Sequence, residues 1–294
     1  MENFKKLENI SCNKSILLIA FKGWSDAAEA ATSAAQTIIN QFDADLFASF
    51  EEEEFFAFAR ERPIVKNDKI NRVIEWPSNN LFFIRDAINS DTSLIILNGT
   101  EPHFKWKTFT KEITKLMTAL NINSVVTLGA LLDSIPHTRG VKTTITGPDP
   151  FMPEEFKNIK IEPSKYEGPT GITSIILEEF RKLGIPGMSI WAHAPHYLQS
   201  SPNPLVAQAL LEELSKWLPL SFNIDKLQKK SQKYMKALDN AISQDSELQT
   251  YIEKLETKYD SAVVDFPPVD DKLLLKDLEK YLEAKRSGDG GVAE

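Results

Sequence analysis

Ser15-Ile-Leu-Leu-Ile-Ala-Phe21 is a short run without charge, and Lys22-Gly-Trp-Ser-Asp26 follows it immediately. An apolar run of this length, closed by a glycine, is typical of a strand that is buried on both faces. The next stretch, Ala27–Ile39, is rich in alanine, and Asp26 followed by Glu29 has the form of a capping box at a helix start. These residues therefore predict a strand, a turn and a helix in that order.

The alternation of apolar runs and amphipathic stretches continues along most of the chain. Further strands are predicted at Ala44–Phe50, Phe55–Ala59, Arg72–Trp76, Leu81–Arg85, Ser93–Leu97, Ser124–Leu128, Lys142–Thr146 and Met188–His193. Further helices are predicted at Phe104–Leu120, Thr170–Leu183 and Leu205–Leu218. This pattern predicts an α/β fold, with a mostly parallel or mixed sheet flanked by helices. Between residues 55 and 85 there is little room for helices, so an antiparallel or edge portion of the sheet is expected there.

The chain changes character after residue 220. Apolar residues at helical spacing in two successive segments predict a helical hairpin over 221–262, following an α/β core over 1–220. A linker and C-terminal helix are expected over 263–286, and a disordered, glycine-rich tail over 287–294. Five lysines on the first hairpin helix could face an acidic partner, although a solvated helix face is the simpler interpretation. They are Lys226, Lys229, Lys230, Lys233 and Lys236.

Composition limits the classes of function. The 294 residues carry a net charge of −8, which disfavours nucleic acid and anionic membranes as partners because phosphate binding needs a basic surface. Cys12 is the only cysteine, which excludes an intrachain disulfide and a multi-cysteine metal site. The sequence shows no secretory signal and no apolar segment of about 20 residues that could span a membrane. A cytoplasmic protein is therefore expected, with no nucleic acid and no membrane as partner.

Polar residues in the turns of this predicted fold form the candidate site. The loops after parallel strands meet at one edge of a sheet, where ligands of such folds bind. The candidate ligand-binding residues are Trp24, Asp26, Glu101, His137, Arg139, Glu167, Thr170, His196 and Tyr197. The loop over 166–171 enters a helix, so it is expected near the opposite edge unless it folds back.

Several candidates have both a chemical and a purely structural interpretation. Asp26, Glu101 and Glu167 could act as general acids or bases, and His137 or His196 could transfer protons. Asp26 is equally explained as a helix cap, and Glu101, which precedes a proline, as the start of the next helix. Position in a loop is weak evidence for catalysis on its own.

Anion binding and metal binding are the other chemistries to consider. Arg139 could bind an oxyanion, and the helix N-terminus at Thr170 could hold an anion on its free backbone donors. His193 and His196 resemble a metal pair, but Pro195 breaks their spacing and no third ligand is evident. Motifs for a phosphate loop, a dinucleotide fold and a nucleophile elbow are absent. We therefore expect no metal and no cofactor.

Several stretches in series resemble the PAC2 family, named for proteasome assembly chaperone 2, and especially its bacterial branch. They are Phe21–Ala27, Glu61–Pro63 with Trp76-Pro77, Gly99–Pro102 with Trp106 and Phe109, Leu128–Leu132, Ile135–Arg139, Tyr166–Gly171, Ser189–Trp191 and Pro195–Tyr197. They cover roughly residues 15–220, and Asp265–Leu282 resembles the C-terminal helix of the family. No settled catalytic residues come with this resemblance.

The resemblance implies a fold similar to that of purine nucleoside phosphorylases, and assembly into homo-oligomers. It also implies a link to proteasome assembly, so proteasome subunits or another protein are the expected partners. One departure concerns the end of the chain. Relatives that dock on proteasomes can end in a hydrophobic residue, a tyrosine and any residue, whereas this chain ends in Val292-Ala293-Glu294.

Two hypotheses of function follow. The first is a non-enzymatic protein-binding or assembly-chaperone protein. The alternative is a small-molecule hydrolase or nucleoside phosphorylase-like enzyme that uses the loops at the sheet edge. An enzyme should have a deep pocket in which a candidate carboxylate lies within hydrogen-bond reach of a histidine or arginine. The absence of catalytic motifs favours the binding protein.

Overall fold

The computed structural model of the protein describes residues 4–6, 10–68, 71–89, 91–147, 166–198, 202–218 and 220–261. Its strands are β1 (Phe4–Lys6), β2 (Lys14–Lys22), β3 (Asp45–Phe50), β4 (Ile64–Asp68), β5 (Asn71–Glu75), β6 (Asn79–Asn89), β7 (Thr92–Thr100), β8 (Ile122–Asp133), β9 (Thr143–Thr146) and β10 (Gly187–Pro195). Its α-helices are α1 (Ala30–Gln41), α2 (Glu52–Phe55), α3 (Trp106–Ala119), α4 (Ile172–Lys182), α5 (Pro204–Leu214), α6 (Asp225–Ile242) and α7 (Ser246–Asp260).

Eight of these strands form one sheet in the order β1-β3-β6-β7-β2-β8-β10-β9. The four central strands, β7, β2, β8 and β10, are parallel to one another. Antiparallel strands extend the sheet on both sides, with β6, β3 and β1 on one and β9 on the other. The prediction of a mixed α/β sheet flanked by helices, with a C-terminal helical hairpin, is confirmed.

The apolar run at residues 15–21 forms the centre of the sheet, in β2, and every residue in it is buried. Ile16 and Leu18 belong to the core layer beneath α1 and α5, whereas Leu17 and Ile19 belong to the layer beneath α3 and α4. Successive side chains of a strand point to opposite faces, so a strand covered on both sides needs apolar residues at every position. This requirement accounts for the uninterrupted run.

The helical hairpin of α6 and α7 packs on the core through an apolar cluster of its own. Leu238 and Ile242 of α6 and Leu248 and Ile252 of α7 meet Tyr197, which follows β10 and is 1% exposed. Burial of such side chains stabilises the docked hairpin by roughly 1.5–3 kcal/mol for each fully buried side chain. The hairpin is therefore a packed part of the molecule.

The strand predicted at Phe55–Ala59 is wrong. The short helix α2 ends at Phe55, whose ring packs edge-on against Phe50 and Phe109 and is fully buried. Glu52, at the start of α2, is followed by two more glutamates, and acidic residues favour the first turn of a helix. The apolar run reflects this aromatic packing and not strand pairing.

The first helix begins three residues later than predicted. Ala28 and Glu29 have φ angles of 53° and 50°, and this left-handed pair separates a single 3-10 turn at Ala27–Glu29 from α1. Residues other than glycine occupy this region at a cost of about 1 kcal/mol or more. The surrounding loop must therefore hold these two residues in place.

β4 and β5 form a separate two-stranded ribbon outside the main sheet. The strand predicted at Arg72–Trp76 belongs to this ribbon. Its four large aliphatic side chains, Ile64, Val65, Val73 and Ile74, are all about half exposed. Two-stranded ribbons are only marginally stable alone in water, so covering these side chains would stabilise this one.

The linker, C-terminal helix and tail predicted over 263–294 lie outside the described residues. The division of the chain at residue 220 stays a prediction. Within the described residues, no helix has both the length and the apolar character required to span a bilayer.

Candidate functional site

The carboxyl ends of β2 and β7 enclose an open cleft of about 490 Å³. Lys22, Trp24 and Asp26 line it from the end of β2 and the loop that follows, and Glu101 and Trp106 line it from the segment after β7. β2 and β7 are adjacent and parallel, so the loops that follow them emerge at the same edge. This is the edge at which α/β folds commonly bind their ligands.

Asp26 anchors the start of α1. Its Oδ1 accepts a hydrogen bond from the backbone N–H of Ala31 at 2.6 Å, and its Oδ2 accepts one from the hydroxyl of Thr32 at 2.5 Å. Asp26 is only 6% exposed, and burial raises the pKa of its carboxyl to about 6. Both carboxylate oxygens therefore serve the helix that begins at Ala30.

Glu101 joins the end of β7 to the start of α4. Its Oε1 accepts a hydrogen bond from the backbone N–H of Ile172 at 2.9 Å. α4 begins at Ile172, two residues after the predicted start at Thr170, and its N-cap residue is Gly171. A Cβ at Gly171 would lie 3.2 Å from Oε1 of Glu101 and 3.3 Å from the ring of Trp24. The absence of a side chain lets these two loops approach each other closely.

The loop over 166–171 therefore lies beside the cleft, and the expectation that it lies at the opposite edge is wrong. The expectation assumed that the chain enters α4 from the end of the preceding strand, and β9 does end beside Ser189, near the start of β10. The contacts of Gly171 with Glu101 and Trp24 instead place the start of α4 at the carboxyl edge. Tyr166, Glu167 and Thr170 are all exposed in this loop.

The remaining charges of the cleft are of both signs. Nζ of Lys22 lies 2.9 Å from Oε1 of Glu61, and this hydrogen bond raises the pKa of the lysine. Glu29 and Arg60 also line the cleft. Sequence reasoning missed Lys22 and Glu61, because they are 39 positions apart and no local pattern signals their contact.

His137 and Tyr197 lie elsewhere, beneath the helical hairpin. The hydroxyl of Tyr197 accepts a hydrogen bond from the backbone N–H of His137 at 2.7 Å and lies 2.6 Å from its Nδ1. His137 is 8% exposed, and burial lowers its pKa. Its Nε2 lies 3.9 Å from a carboxylate oxygen of Asp239 on α6. These contacts hold the loop after β8 against the hairpin.

Arg139 and His196 also contact the hairpin. Arg139 donates to both carboxylate oxygens of Asp260, from Nε at 2.9 Å and from Nη2 at 2.6 Å. It also lies 3.3 Å from a carboxylate oxygen of Glu256. Nε2 of His196 lies 2.8 Å from the hydroxyl of Tyr251. The oxyanion-binding group predicted at Arg139 is therefore already occupied by carboxylates of α7.

His193 pairs with a carboxylate. Its Nδ1 lies 2.7 Å from Oδ2 of Asp133, and this hydrogen bond lowers the pKa of the carboxyl. Sequence reasoning missed Asp133, although it ends β8 directly opposite Pro195 at the end of β10. Within the described residues, no three His, Cys, Asp or Glu residues are grouped so that they could hold a metal ion.

The candidate residues thus divide between two places. Trp24, Asp26 and Glu101 line the cleft, and Glu167 and Thr170 lie in the loop beside it. The other four hold the helical hairpin against the core. In the described part of the chain, no candidate carboxylate is hydrogen-bonded to a candidate histidine or to the candidate arginine. The geometry that the enzyme hypothesis requires is not found there.

Several exposed large apolar side chains lie in segments that line or adjoin the cleft and the groove beside it. Four of them, which we call the cleft rim, are Trp24, Trp76, Phe104 and Tyr166, each between 48% and 62% exposed. Trp76 lines a second groove of about 310 Å³, which shares Lys22 with the cleft. The cleft rim and the four ribbon side chains make up eight of the thirteen exposed large apolar side chains in the described residues.

Comparisons with known proteins identify relatives of this fold and sequence. A PAC2 family protein from Streptomyces avermitilis is 32% identical, with a TM-score of 0.72 over 81% of this chain and 99% of that one. A proteasome-assembly chaperone homologue from Mycobacterium tuberculosis is 28% identical, with a TM-score of 0.70 over the same shares of the two chains. PbaB, an archaeal proteasome activator from Pyrococcus furiosus, is 16% identical at a TM-score of 0.61, covering 82% of this chain and 99% of that one, and shares the fold.

The family assignment rests on sequence as well as on structure. No curated protein matches the sequence. The sequence model of the PAC2 family matches residues 20–242, from the last residues of β2 to the end of α6. The chain therefore belongs to the PAC2 family.

Proposed function

We propose that this chain is a non-enzymatic protein-binding protein with a role like that of the proteasome assembly chaperones. Its partners are proteasome subunits or another protein, it acts in the cytoplasm, and it assembles into homo-oligomers. The observation that carries the proposal is the concentration of exposed aromatic and aliphatic side chains on the cleft rim and the ribbon.

Exposed apolar groups of this kind favour a protein as the ligand. Aromatic side chains are enriched in protein–protein interfaces, where tryptophan and tyrosine supply much of the binding energy. Contiguous apolar patches are rare on the surface of monomeric soluble proteins and mark interaction sites. The cleft rim adjoins an open cleft of about 490 Å³, into which a side chain or loop of a partner fits.

The internal bonding of the polar candidates also favours binding over catalysis. Asp26 caps α1 and Glu101 caps α4, so each carboxylate already serves the architecture of the cleft wall. Of the predicted ligand-binding residues that line the cleft, Trp24 is 61% exposed, whereas Asp26 is 6% exposed. In this proposal Asp26 and Glu101 shape the cleft, and Trp24 contacts the bound protein.

Relatives support the choice of partner. The Mycobacterium tuberculosis relative is a proteasome-assembly chaperone homologue, and the match covers 99% of its length. We therefore place proteasome subunits first among the expected partners.

The test is affinity capture of the tagged chain from its native cells, followed by quantitative mass spectrometry. The wild type should recover a protein in near-stoichiometric amount, and Trp24→Ala with Phe104→Ala should lose most of it. Leu183→Ala is the matched control, because Leu183 is 51% exposed but lies outside the cleft rim and the ribbon. Recovery of no stoichiometric protein, or equal recovery by all variants, would refute the proposal. Native mass spectrometry of the purified chain tests self-assembly, and a monomer would refute that part.

A further inference from the structure

α6 carries a row of unpaired positive charge. The five lysines predicted on this helix, which we call the lysine face, are all exposed. They are Lys226, Lys229, Lys230, Lys233 and Lys236. In the described part of the structure, none of them takes part in an ion pair or a side-chain hydrogen bond. The observation is notable because the whole chain carries a net charge of −8.

Helix geometry gathers these lysines on one surface. At roughly 100° per residue they fall within an arc of about 120°, and they extend along about 15 Å of the axis. The residues of α6 that are buried, including Leu227 and Leu238, lie on the other side of the helix. Asp225 and Asp239, the acidic residues of α6, lie at the two ends of the row, one turn before Lys229 and one turn after Lys236. Between them the lysine face is a compact basic surface.

Several basic residues on or beside other helices of the same protein are paired locally. In each of four such cases, a lysine or arginine bonds to the glutamate three residues before it. These pairs are Lys115 with Glu112, Arg181 with Glu178, Lys182 with Glu179 and Lys216 with Glu213. On α6 the lysines lie three and four positions from one another, and such like-charge neighbours repel each other. Asp225, four positions before Lys229, and Asp239, three positions after Lys236, form no ion pair with these lysines in the described residues, so most of the repulsion remains.

We propose that the lysine face is a docking surface for an acidic segment or acidic surface of a protein partner. Charge complementarity selects the partner, because acidic side chains supply negative charges for the unpaired lysines. The net charge of −8 repels nucleic acid and anionic membranes at longer range, so a local acidic patch on a protein is the better match. This surface is distinct from the cleft rim and goes beyond the function proposed above.

The probe for the test is a fluorescein-labelled peptide of ten glutamates, and the readout is fluorescence anisotropy at low and physiological salt. The variant Lys229→Glu with Lys233→Glu reverses two charges one helical turn apart. The control, Lys107→Glu with Lys111→Glu, makes the same change at the same spacing on exposed positions of α3. The first should raise the Kd at least about tenfold, and the second by less than about twofold, because such contacts act at short range in salt.

Three results would overturn the proposal. In the first, the wild type does not bind the peptide at low salt. In the second, both double variants weaken binding equally. In the third, a ten-nucleotide RNA or phosphatidylserine vesicles bind more tightly than the peptide. Circular dichroism of each variant verifies that the helices are intact. The milder Lys229→Gln with Lys233→Gln should weaken binding to an intermediate degree. Variants of the cleft rim should bind the peptide normally, so failure here is distinguishable from failure of the proposed function.

Discussion

Replacing Asp26 by asparagine should make the protein more stable at neutral pH, even though Asp26 caps a helix. Asparagine keeps a carbonyl oxygen that can accept from the backbone N–H of Ala31, and its amide can donate to the hydroxyl of Thr32. The substitution removes the negative charge that burial disfavours. Replacing one carboxylate oxygen by an amide nitrogen therefore removes the charge of the side chain and keeps its role as a helix cap.

The pKa of the buried carboxyl gives the expected magnitude. It is about 6 in the folded protein, against 3.8 for an unperturbed aspartate. Between these values the folded state binds more protons than the unfolded state, so the stability contributed by Asp26 falls as pH rises from about 4 to about 6 and then stays level. A difference of roughly two pKa units corresponds to about 3 kcal/mol. Asp26→Asn should therefore match the wild type near pH 4 and exceed its unfolding free energy by up to about 3 kcal/mol at pH 7.

The assay is urea unfolding, followed by circular dichroism, of both proteins at several pH values. Subtracting the unfolding free energy of the wild type from that of the variant at each pH cancels the titration of every group other than Asp26. Asp43→Asn is the matched control, because Asp43 is exposed and follows the other end of α1. Its difference from the wild type should not change across this range. A difference for Asp26→Asn that is flat with pH, or that favours the wild type at pH 7, would refute the reasoning.

Three further predictions concern packing and the hairpin. Gly99→Ala should lower the unfolding free energy by about 3 kcal/mol or more, because its Cβ would lie 2.0 Å from Oδ1 of Asn79 and 2.5 Å from the backbone oxygen of Ser78. Gly140→Ala, whose Cβ would have no atom within 4 Å, should be neutral in the same urea titration. Tyr197→Phe should cost about 1–3 kcal/mol by leaving a buried backbone N–H unsatisfied, and Tyr166→Phe in an exposed loop should cost less than about 0.5 kcal/mol. Arg139→Ala should raise amide hydrogen exchange in α7 while leaving the central strands unchanged, and equal protection of α7 in both proteins would contradict the assigned docking role.

The strands of the central sheet were predictable because a strand that is buried on both faces needs apolar side chains at successive positions. β2 and β7 each contain an uninterrupted apolar run, Ile16–Phe21 and Leu94–Leu97, and the helices that follow them, α1 and α3, have apolar residues at helical spacing. Phe55–Ala59 was misread because an apolar run shows that side chains are buried without showing whether the backbone pairs as a strand. The left-handed pair Ala28 and Glu29 was missed because neither residue type signals a positive φ.

The candidate site was predictable only as a set of loops. The cleft residues Trp24 and Glu101 follow adjacent parallel strands, so topology alone brings them together. The contacts of His137 and Arg139 with the hairpin were not predictable, because they join residues more than 100 positions apart. No local pattern encodes such a contact.

The central position of β2 has a consequence for synthesis of the chain. β2 ends at Lys22, but its two neighbours in the sheet end at Thr100 and Asp133. At typical rates of about 5–20 residues per second, the ribosome needs roughly 6–22 s to extend the chain from Lys22 to Asp133. Until then the apolar run at residues 15–21 has no place in the sheet and is available to chaperones that bind nascent chains. A force profile of the arrested nascent chain should accordingly show no folding transition of the core until β8 has left the exit tunnel.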